Sequence, residues 1–415
     1  GALRTGIVGF EQATKGADMR HSTVDLLAQA SPAAVDVFTQ VLTRGPISRI
    51  DVARLTGLSQ AAVTKAIAPL LAAGVVGDAH YAGDSSRTSA GRPAYPLRVL
   101  PDALVTLGIK VNATDIISVA TDFTANILAT VELSLPDTHY ETVVGGIVDA
   151  VGRLTEQLGP RAAAIGGVGV SVSGDVDTAN GVVRESGLLG WTDQPLGATL
   201  RERLGFDVLI ENDVRALTIA EHWFGMGVGT ASFAIVTIGS GIGCGLHVNG
   251  EVVDGAYGVA GEIGHLPLTS PEHICTCGRR GCVEAVAASG AIVAAIEAAT
   301  ARSLTFQDAV DLAHAGDPAA VQVFDRAGSV IGLAIATMVN LAGPELVVIS
   351  GEAVVDYDLY DRRLREAFTE HAFGAAVNCR IVTRPNTFVD WAQGAAAAAV
   401  RAIVTQTYPS TRLAA

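Results

Sequence analysis

Two short stretches near the start of the chain share one apolar rhythm. Ala34, Phe38, Val41 and Leu42 fall at i, i+4, i+7 and i+8, and so do Val63, Ile67, Leu70 and Leu71. That spacing places each set on one face of a helix. Gly45-Pro46 ends the first helix, and a shorter one follows from about Ile50 to Thr56 with Val52 and Leu55 apolar. Gly57-Leu58-Ser59 makes a tight turn, and Ser59 is a good cap for a helix from about Gln60 to Ala73. Gly74 stops that helix, and Pro69 inside it removes a backbone donor and should bend its second half. Val75-Val76 and Tyr95-Pro96-Leu97-Arg98, separated by a polar turn through Asp84-Ser85-Ser86, predict a two-stranded wing. Residues 1–30 have no clear period and predict a partly ordered arm.

A helix, a glycine turn and a capped second helix make the helix-turn-helix pattern, here in a winged domain over residues 31–100. Its second helix would enter the major groove of DNA. Ser59, Gln60, Ala61, Thr64 and Lys65 lie on the side away from the apolar stripe. Gln can bond adenine edges, and Thr and Lys suit phosphates or guanine. Gly91-Arg92-Pro93 is a narrow segment able to set Arg92 into a minor groove. Operator DNA is the partner this pattern implies.

After residue 103 the rhythm changes. Short apolar strands recur, each ending in glycine or small polar residues. Leu104–Ile109 and Ile116–Thr121 predict a hairpin. Gly167–Ser171, Val208–Ile210, Phe233–Ile238 and Leu346–Ser350 predict further strands, and Gly239-Ser240-Gly241-Ile242-Gly243 follows one of them. Helices are expected over about Val283–Ala299, from Asp317-Pro318 to about Leu341, and over Ala392–Val404. Hairpins followed by alternating strands and helices, twice over, predict an α/β fold of two similar lobes around a cleft. Ligands in such folds sit beyond the carboxyl ends of the strands.

Of the 415 residues 49% are hydrophobic, enough for two or three domain cores. No apolar run is expected to reach the length of a membrane span, and no basic-then-apolar leader opens the chain, so no membrane partner and a cytoplasmic location are expected. The net charge of −14 argues against non-specific nucleic-acid binding by the whole surface. The charge is uneven: residues 1–100 hold 10 Lys and Arg against 7 Asp and Glu, and the rest hold 18 against 35. A mildly basic head on an acidic body suits a DNA-binding module joined to a ligand-binding domain.

Three of the five cysteines fall in Cys275-Thr276-Cys277-Gly278-Arg279-Arg280-Gly281-Cys282, ten residues after His265. Thiolates and an imidazole fill the corners of a tetrahedral Zn²⁺ site. The spacing differs from paired CxxC ribbons, and four ligands leave no open position, so a structural zinc is expected.

Gly261-Glu262-Ile263-Gly264-His265, followed by this cysteine loop and Glu284, resembles the signature of the ROK family of repressors, uncharacterised frames and sugar kinases. Glu211-Asn212-Asp213, Gly190-Trp191 and the Gly239–Gly245 loop stand in the family's order. The resemblance spans about Ala103 to Val404, and the winged head matches the repressor branch. It implies an actin/hexokinase-like double-lobed domain, with residues 103–212 plus 385–406 as the small lobe and 213–384 as the large lobe. It implies zinc at His265, Cys275, Cys277 and Cys282. It implies a sugar or sugar derivative at Asn212, Asp213, Glu262, His265 and Glu284, with Asp213 at the place of the catalytic base.

The chain also departs from the family. Where the kinases carry an Asp-x-Gly-Gly-Thr phosphate loop, it has Lys110-Val111-Asn112-Ala113-Thr114. An acid that would help hold Mg²⁺ has become a base, and side chains stand where backbone must approach a phosphate. Gly187 replaces a usual sugar-binding Asn, and Gly351-Glu352-Ala353 lacks the usual glycine pair. The expected protein is therefore a sugar-responsive regulator, not an enzyme, with Asp213 a vestigial base. It would bind a palindromic operator as a homodimer or homotetramer.

Overall fold

The computed structural model describes residues 23–79 and 95–408. Most of the expected arm, and the wing tip with Arg92, lie outside the described residues. The chain divides into two compact units, Gly1–Val228 with Trp391–Ala415, and Gly229–Asp390.

The head opens the first unit with the helix Pro32–Arg44, capped by the Ser31 hydroxyl, which accepts from the Ala34 N–H. The helix Arg49–Thr56 ends at Gly57, whose φ of 71° is left-handed. Ser59 then caps Gln60–Ala72, accepting from the Ala62 N–H at 3.2 Å. Pro69 sits on the exposed side of this helix, which runs on to Ala72. Val37, Phe38, Val41, Val52, Val63, Ile67 and Leu70 are buried between the three helices. The strands β1 (Val76–Asp78) and β2 (Leu97–Val99) pair antiparallel as the base of the wing.

The head packs on the sheet that follows it. The Phe38 ring lies 5.5 Å from that of Phe123. Gln406 donates from Nε2 to the carbonyls of Leu27 and Ala30, at 2.8 and 3.0 Å.

That sheet contains β3 (Val105–Val111), β4 (Asp115–Asp122), β5 (Ile127–Ser134) and β6 (Ile165–Val172). A small antiparallel sheet of β7 (Asp175–Asp177), β8 (Val182–Ser186) and β9 (Trp191–Gln194) follows, and β10 (Val208–Asn212) returns to the main one. The main order is β10-β6-β3-β4-β5, with β3 parallel to β6 and β6 parallel to β10. Gly108 on β3 and Gly169 on β6 are register partners and form a bare patch. The alanine-rich helix Phe388–Val404 lies on it so closely that a Cβ at either glycine would come within 2.0 Å of the Ala392 or Ala395 carbonyl.

The helix Asp213–Phe224 packs on this same C-terminal helix: a Cβ at Gly394 would lie 3.2 Å from the Leu217 nitrogen. The two compact units divide at 228/229 and 390/391, where the lobes were expected to meet at 212/213 and 384/385.

The second unit repeats the theme with β11 (Phe233–Ile238), β12 (Ile242–Val248), β13 (Glu251–Val252), β14 (Leu346–Ser350) and β15 (Arg380–Thr383), in the order β13-β12-β11-β14-β15. Its central helix, Pro318–Ala342, is capped by Asp317, whose carboxylate accepts from Ala319 and Ala320 N–H. By length and composition this helix could cross a bilayer, which corrects the expectation that no such run exists. Asp325 and Arg326 interrupt the run in the sequence, while Phe324, Ile331, Ile335 and Val339 bury its apolar face in the core. The single helix expected over Val283–Ala299 is two, Glu284–Ala287 and Ser289–Thr300. Ala288 turns extended between them, and the Ser289 N–H donates to the Gly239 carbonyl at 2.9 Å instead of continuing the helix.

Candidate functional site

In the second unit, a loop pressed against β12 sets the position of His265. Gly261 has a φ of +94°, and a Cβ there would meet the Cys244 carbonyl at 2.3 Å, so only glycine lets the chain pass so close. A 3-10 turn, Ile263–His265, follows. The cysteine loop is a miniature hairpin bridged at Ile274 and Arg280, with the Cys275 N–H donating to the Arg279 carbonyl at 2.8 Å. Gly278 and Gly281, with φ of +82° and +79°, fold it back on itself.

This brings together the four predicted ligands. One ligand atom each from His265, Cys275, Cys277 and Cys282 lies within 4.8 Å of all the others. Cys275 Sγ is 3.7 Å from His265 Nδ1, and Cys277 Sγ is 3.9 Å from Cys282 Sγ. A tetrahedron with metal–sulfur bonds of about 2.3 Å has S···S edges of about 3.8 Å, so the donor set fits a single metal ion. The thiols also perturb one another. Burial, reinforced by Cys277 and Cys275, pushes the Cys282 thiol up to about 12. Burial works the same way on Cys277, but hydrogen bonds from the Arg279 amide and the neighbouring thiols outweigh it and lower its pKa. Crowded thiols resist ionising together, and a divalent cation lets them share so small a space.

With Nδ1 turned to the thiols, the His265 Nε2 faces the other way. It lies 3.9 Å from Glu262 Oε2, beyond hydrogen-bonding distance. Metal ligation through one nitrogen would fix where the other points. Glu284, just past the loop, accepts from the Ile242 N–H through Oε2 at 3.0 Å.

The remaining predicted ligand residues belong to the first unit. Asn212 caps the helix Asp213–Phe224: its Oδ1 accepts from the Arg215 N–H at 3.1 Å, and its Nδ2 donates to the Gly174 carbonyl at 2.9 Å. Both ends of its side chain are used within the protein. Asp213 is buried and paired with Lys110, whose Nζ lies 2.5 Å from Oδ2, while Oδ1 accepts from the Val214 N–H at 2.8 Å. The ammonium also lies 5.6 Å from the centre of the Trp391 ring. Lys110 and Asn112 thus hold the turn after β3, Asn112 by donating from Nδ2 to Asp115 Oδ1 at 2.7 Å. Beside them Glu211 and Arg215 form a second buried ion pair at 3.2 Å. Gly187 borders open space, with no heavy atom within 4 Å of where its Cβ would be.

The pairing of Lys110 with Asp213 is the contact at a predicted site residue that sequence reasoning missed. Lys110, Ser171 and Glu211 stand in one register row across β3, β6 and β10, and Asp213 follows at the end of β10. The unlike charges were visible in the sequence, but the strand order that joins them was not.

In the head, Ser59, Gln60, Ala61, Thr64 and Lys65 are all exposed and share one side of the helix Gln60–Ala72. The Thr64 hydroxyl donates to the Gln60 carbonyl at 2.9 Å, which leaves its acceptor side outward.

Comparison with known proteins follows the same division of the chain. The model of the ROK family matches residues 106–402. An N-acetylglucosamine repressor of Escherichia coli O6:H1 is 27% identical over 348 residues, covering 82% of this chain and 84% of that protein. The crystal structure of a ROK family transcriptional regulator, a homolog of the Escherichia coli MLC protein, shares the fold with a TM-score of 0.74 and 24% identity, over 91% of this chain and 96% of that one. A ROK family glucokinase from Streptomyces griseus, solved with glucose and AMPPNP, aligns with a TM-score of 0.62 and 25% identity, over 72% of this chain and 99% of that one.

Replacing Cys277 with Ser should sharply lower the metal content of the purified protein, measured by elemental analysis; unchanged content would refute the ligand set. Lys110→Ala should destabilise the fold by about 3–5 kcal/mol, because it strands a buried carboxylate. The double variant Lys110→Ala/Asp213→Ala should recover a large part of that loss in urea unfolding, and purely additive losses would show that the two side chains are not coupled.

Proposed function

The chain belongs to the ROK family, and from that premise we propose that it is a sugar-responsive DNA-binding transcriptional regulator, a repressor without phosphoryl-transfer activity. The observation that carries the second half is the Lys110–Asp213 pair. A general base must be free to take a proton from the attacking hydroxyl. An ammonium 2.5 Å from the carboxylate engages Oδ2 and occupies the space a substrate hydroxyl would need. The first half is supported by the exposed polar face of the capped helix Gln60–Ala72 and by the likeness to a repressor along most of both chains.

The metal is Zn²⁺ in a structural role, held by His265, Cys275, Cys277 and Cys282. When bound it adds a fixed positive charge, and the four protein ligands leave it no open position. The effector is a sugar or sugar derivative. Its neighbouring hydroxyls present donors to the Glu262 and Glu284 carboxylates and an acceptor to the His265 Nε2–H. Contact with Asn212 or Asp213 belongs to the same proposal and requires their internal bonds to open.

The head binds operator DNA as a homodimer or a tetramer built from dimers, acting in the cytoplasm. Ser59, Gln60, Ala61, Thr64 and Lys65 face the major groove, and Arg92 reaches a minor groove. Two heads must meet half-sites about 34–36 Å apart, so a small rotation weakens the complex. The helix Phe388–Val404 supplies the mechanical link. Trp391 near its start lies beside Lys110, and Gln406 just past its end holds the carbonyls of Leu27 and Ala30. An effector shifts DNA affinity only by binding the two arrangements unequally.

The test is thermal unfolding of the full chain against a panel of monosaccharides and their N-acetyl and phosphate derivatives. A true effector at about 100 times its Kd should stabilise the protein by about 2.7 kcal/mol, with the shift lost in Glu262→Ala. No shift with any sugar would mark the site as vestigial, and ADP formation alongside a shift would make the protein a kinase.

A further inference from the structure

The glycine loop Gly239-Ser240-Gly241 joins β11 to β12. It stands at the carboxyl end of β11, which runs parallel to β14. Loops rich in backbone N–H groups at the carboxyl ends of parallel strands are natural cradles for phosphate. In this chain the cradle already holds an anion of its own. The Glu352 carboxylate, from the loop after β14, accepts from the Ser240 N–H through Oε1 at 2.7 Å. The next carboxylate along does the same: Glu284 takes the Ile242 N–H at 3.0 Å. The Gly243 N–H goes to the Thr237 hydroxyl at 3.2 Å, and the Gly239 N–H goes to the Gly241 carbonyl at 3.1 Å.

The backbone is shaped to admit the Glu352 side chain. A Cβ at Gly239 would come within 2.1 Å of the Glu352 carboxylate, so any other residue at 239 would expel it. Gly351, with a φ of +106°, would place a Cβ 2.4 Å from the Ile238 carbonyl, so the turn that presents Glu352 requires glycine too. Both glycines serve the approach of one acid to one loop.

We propose that Glu352 is a built-in substitute for phosphate that closes the Gly239–Gly241 loop to nucleoside polyphosphates. An incoming phosphate must displace a carboxylate from the Ser240 N–H and then share the loop with its negative charge. The consequence is a sensor whose response to its effector is independent of adenine nucleotides. The inference rests on the reading of the chain as a regulator without kinase activity, and it assigns a specificity role to Glu352 that the Lys110–Asp213 pair does not cover. Lys110 disables the chemistry; Glu352 excludes the co-substrate.

The test is isothermal titration of the full chain with Mg-ADP. Wild type should give no saturable binding in the millimolar range. Glu352→Gly should open the loop and bind at least tenfold tighter than wild type. Glu352→Gln keeps the shape of the side chain and loses its charge, and should gain affinity to a smaller extent; it remains informative if the glycine variant fails to fold. Wild-type binding as tight as that of the variants would overturn the inference, and so would a folded pair of variants that bind no ADP. Either result leaves the sugar-induced thermal shift of the wild type untouched, so this inference can fail while the regulator reading stands. ADP production by the wild type would instead remove that reading.

Discussion

A lysine ammonium and an aspartate carboxylate, both buried, meet at the carboxyl ends of β3 and β10, and the rest of the first unit is arranged around that meeting. Neither charge could stay in the interior alone, since an unpaired buried ion costs several kcal/mol. Pairing fixes the turn after β3, orients the start of the helix Asp213–Phe224, and draws Trp391 of the C-terminal helix against the ammonium. That helix in turn depends on the bare Gly108 and Gly169 patch, because only glycines let its backbone lie so close to the sheet. The same helix leads on to Gln406 and its hold on the residues just before the head. One electrostatic contact thus sits at the end of a stiff element that reaches the DNA-binding module.

The second unit applies the same physics with the opposite sign. Where the first unit places a base against an acid, the second places acids against backbone donors: Glu352 on Ser240 and Glu284 on Ile242. The cysteine loop is a third case of crowding, with three sulfurs and an imidazole nitrogen within 4.8 Å of one another, a set that a divalent cation would hold together. His265 turns one nitrogen inward to the thiols and the other outward toward Glu262, as a divalent cation held there would require. A metal bound there would orient the histidine without the help of a further side chain.

Much of this was legible in the sequence, for identifiable reasons. The helix Gln60–Ala72 could be placed because Ser59 is a cap, Gly57 a stop and the apolar stripe unambiguous. The strand Phe233–Ile238 is an uninterrupted apolar run bounded by glycine and falls where expected. The cluster of His265 with three cysteines was readable because cysteine is rare here and the four residues lie close in the chain. What escaped depended on distant partners. The break at Ala288 arises from a hydrogen bond to Gly239, nearly fifty positions earlier. The boundary at 228/229 arises from packing of Leu217 against Gly394. The Lys110–Asp213 pair needs the strand order β10-β6-β3. Asn212 carried all the signs of a ligand residue, but its spacing suits a helix cap equally well, and in the structure its side chain serves as one.

The central claim is that this chain reads a sugar and releases DNA without spending a nucleotide. The most direct measurement is the affinity of the full chain for an operator selected from random DNA, taken with and without the stabilising sugar and repeated in Mg-ATP. The account predicts that the sugar alone weakens operator binding at least severalfold and that Mg-ATP changes nothing further. An effect that appears only with Mg-ATP, or an affinity indifferent to the sugar, would contradict it.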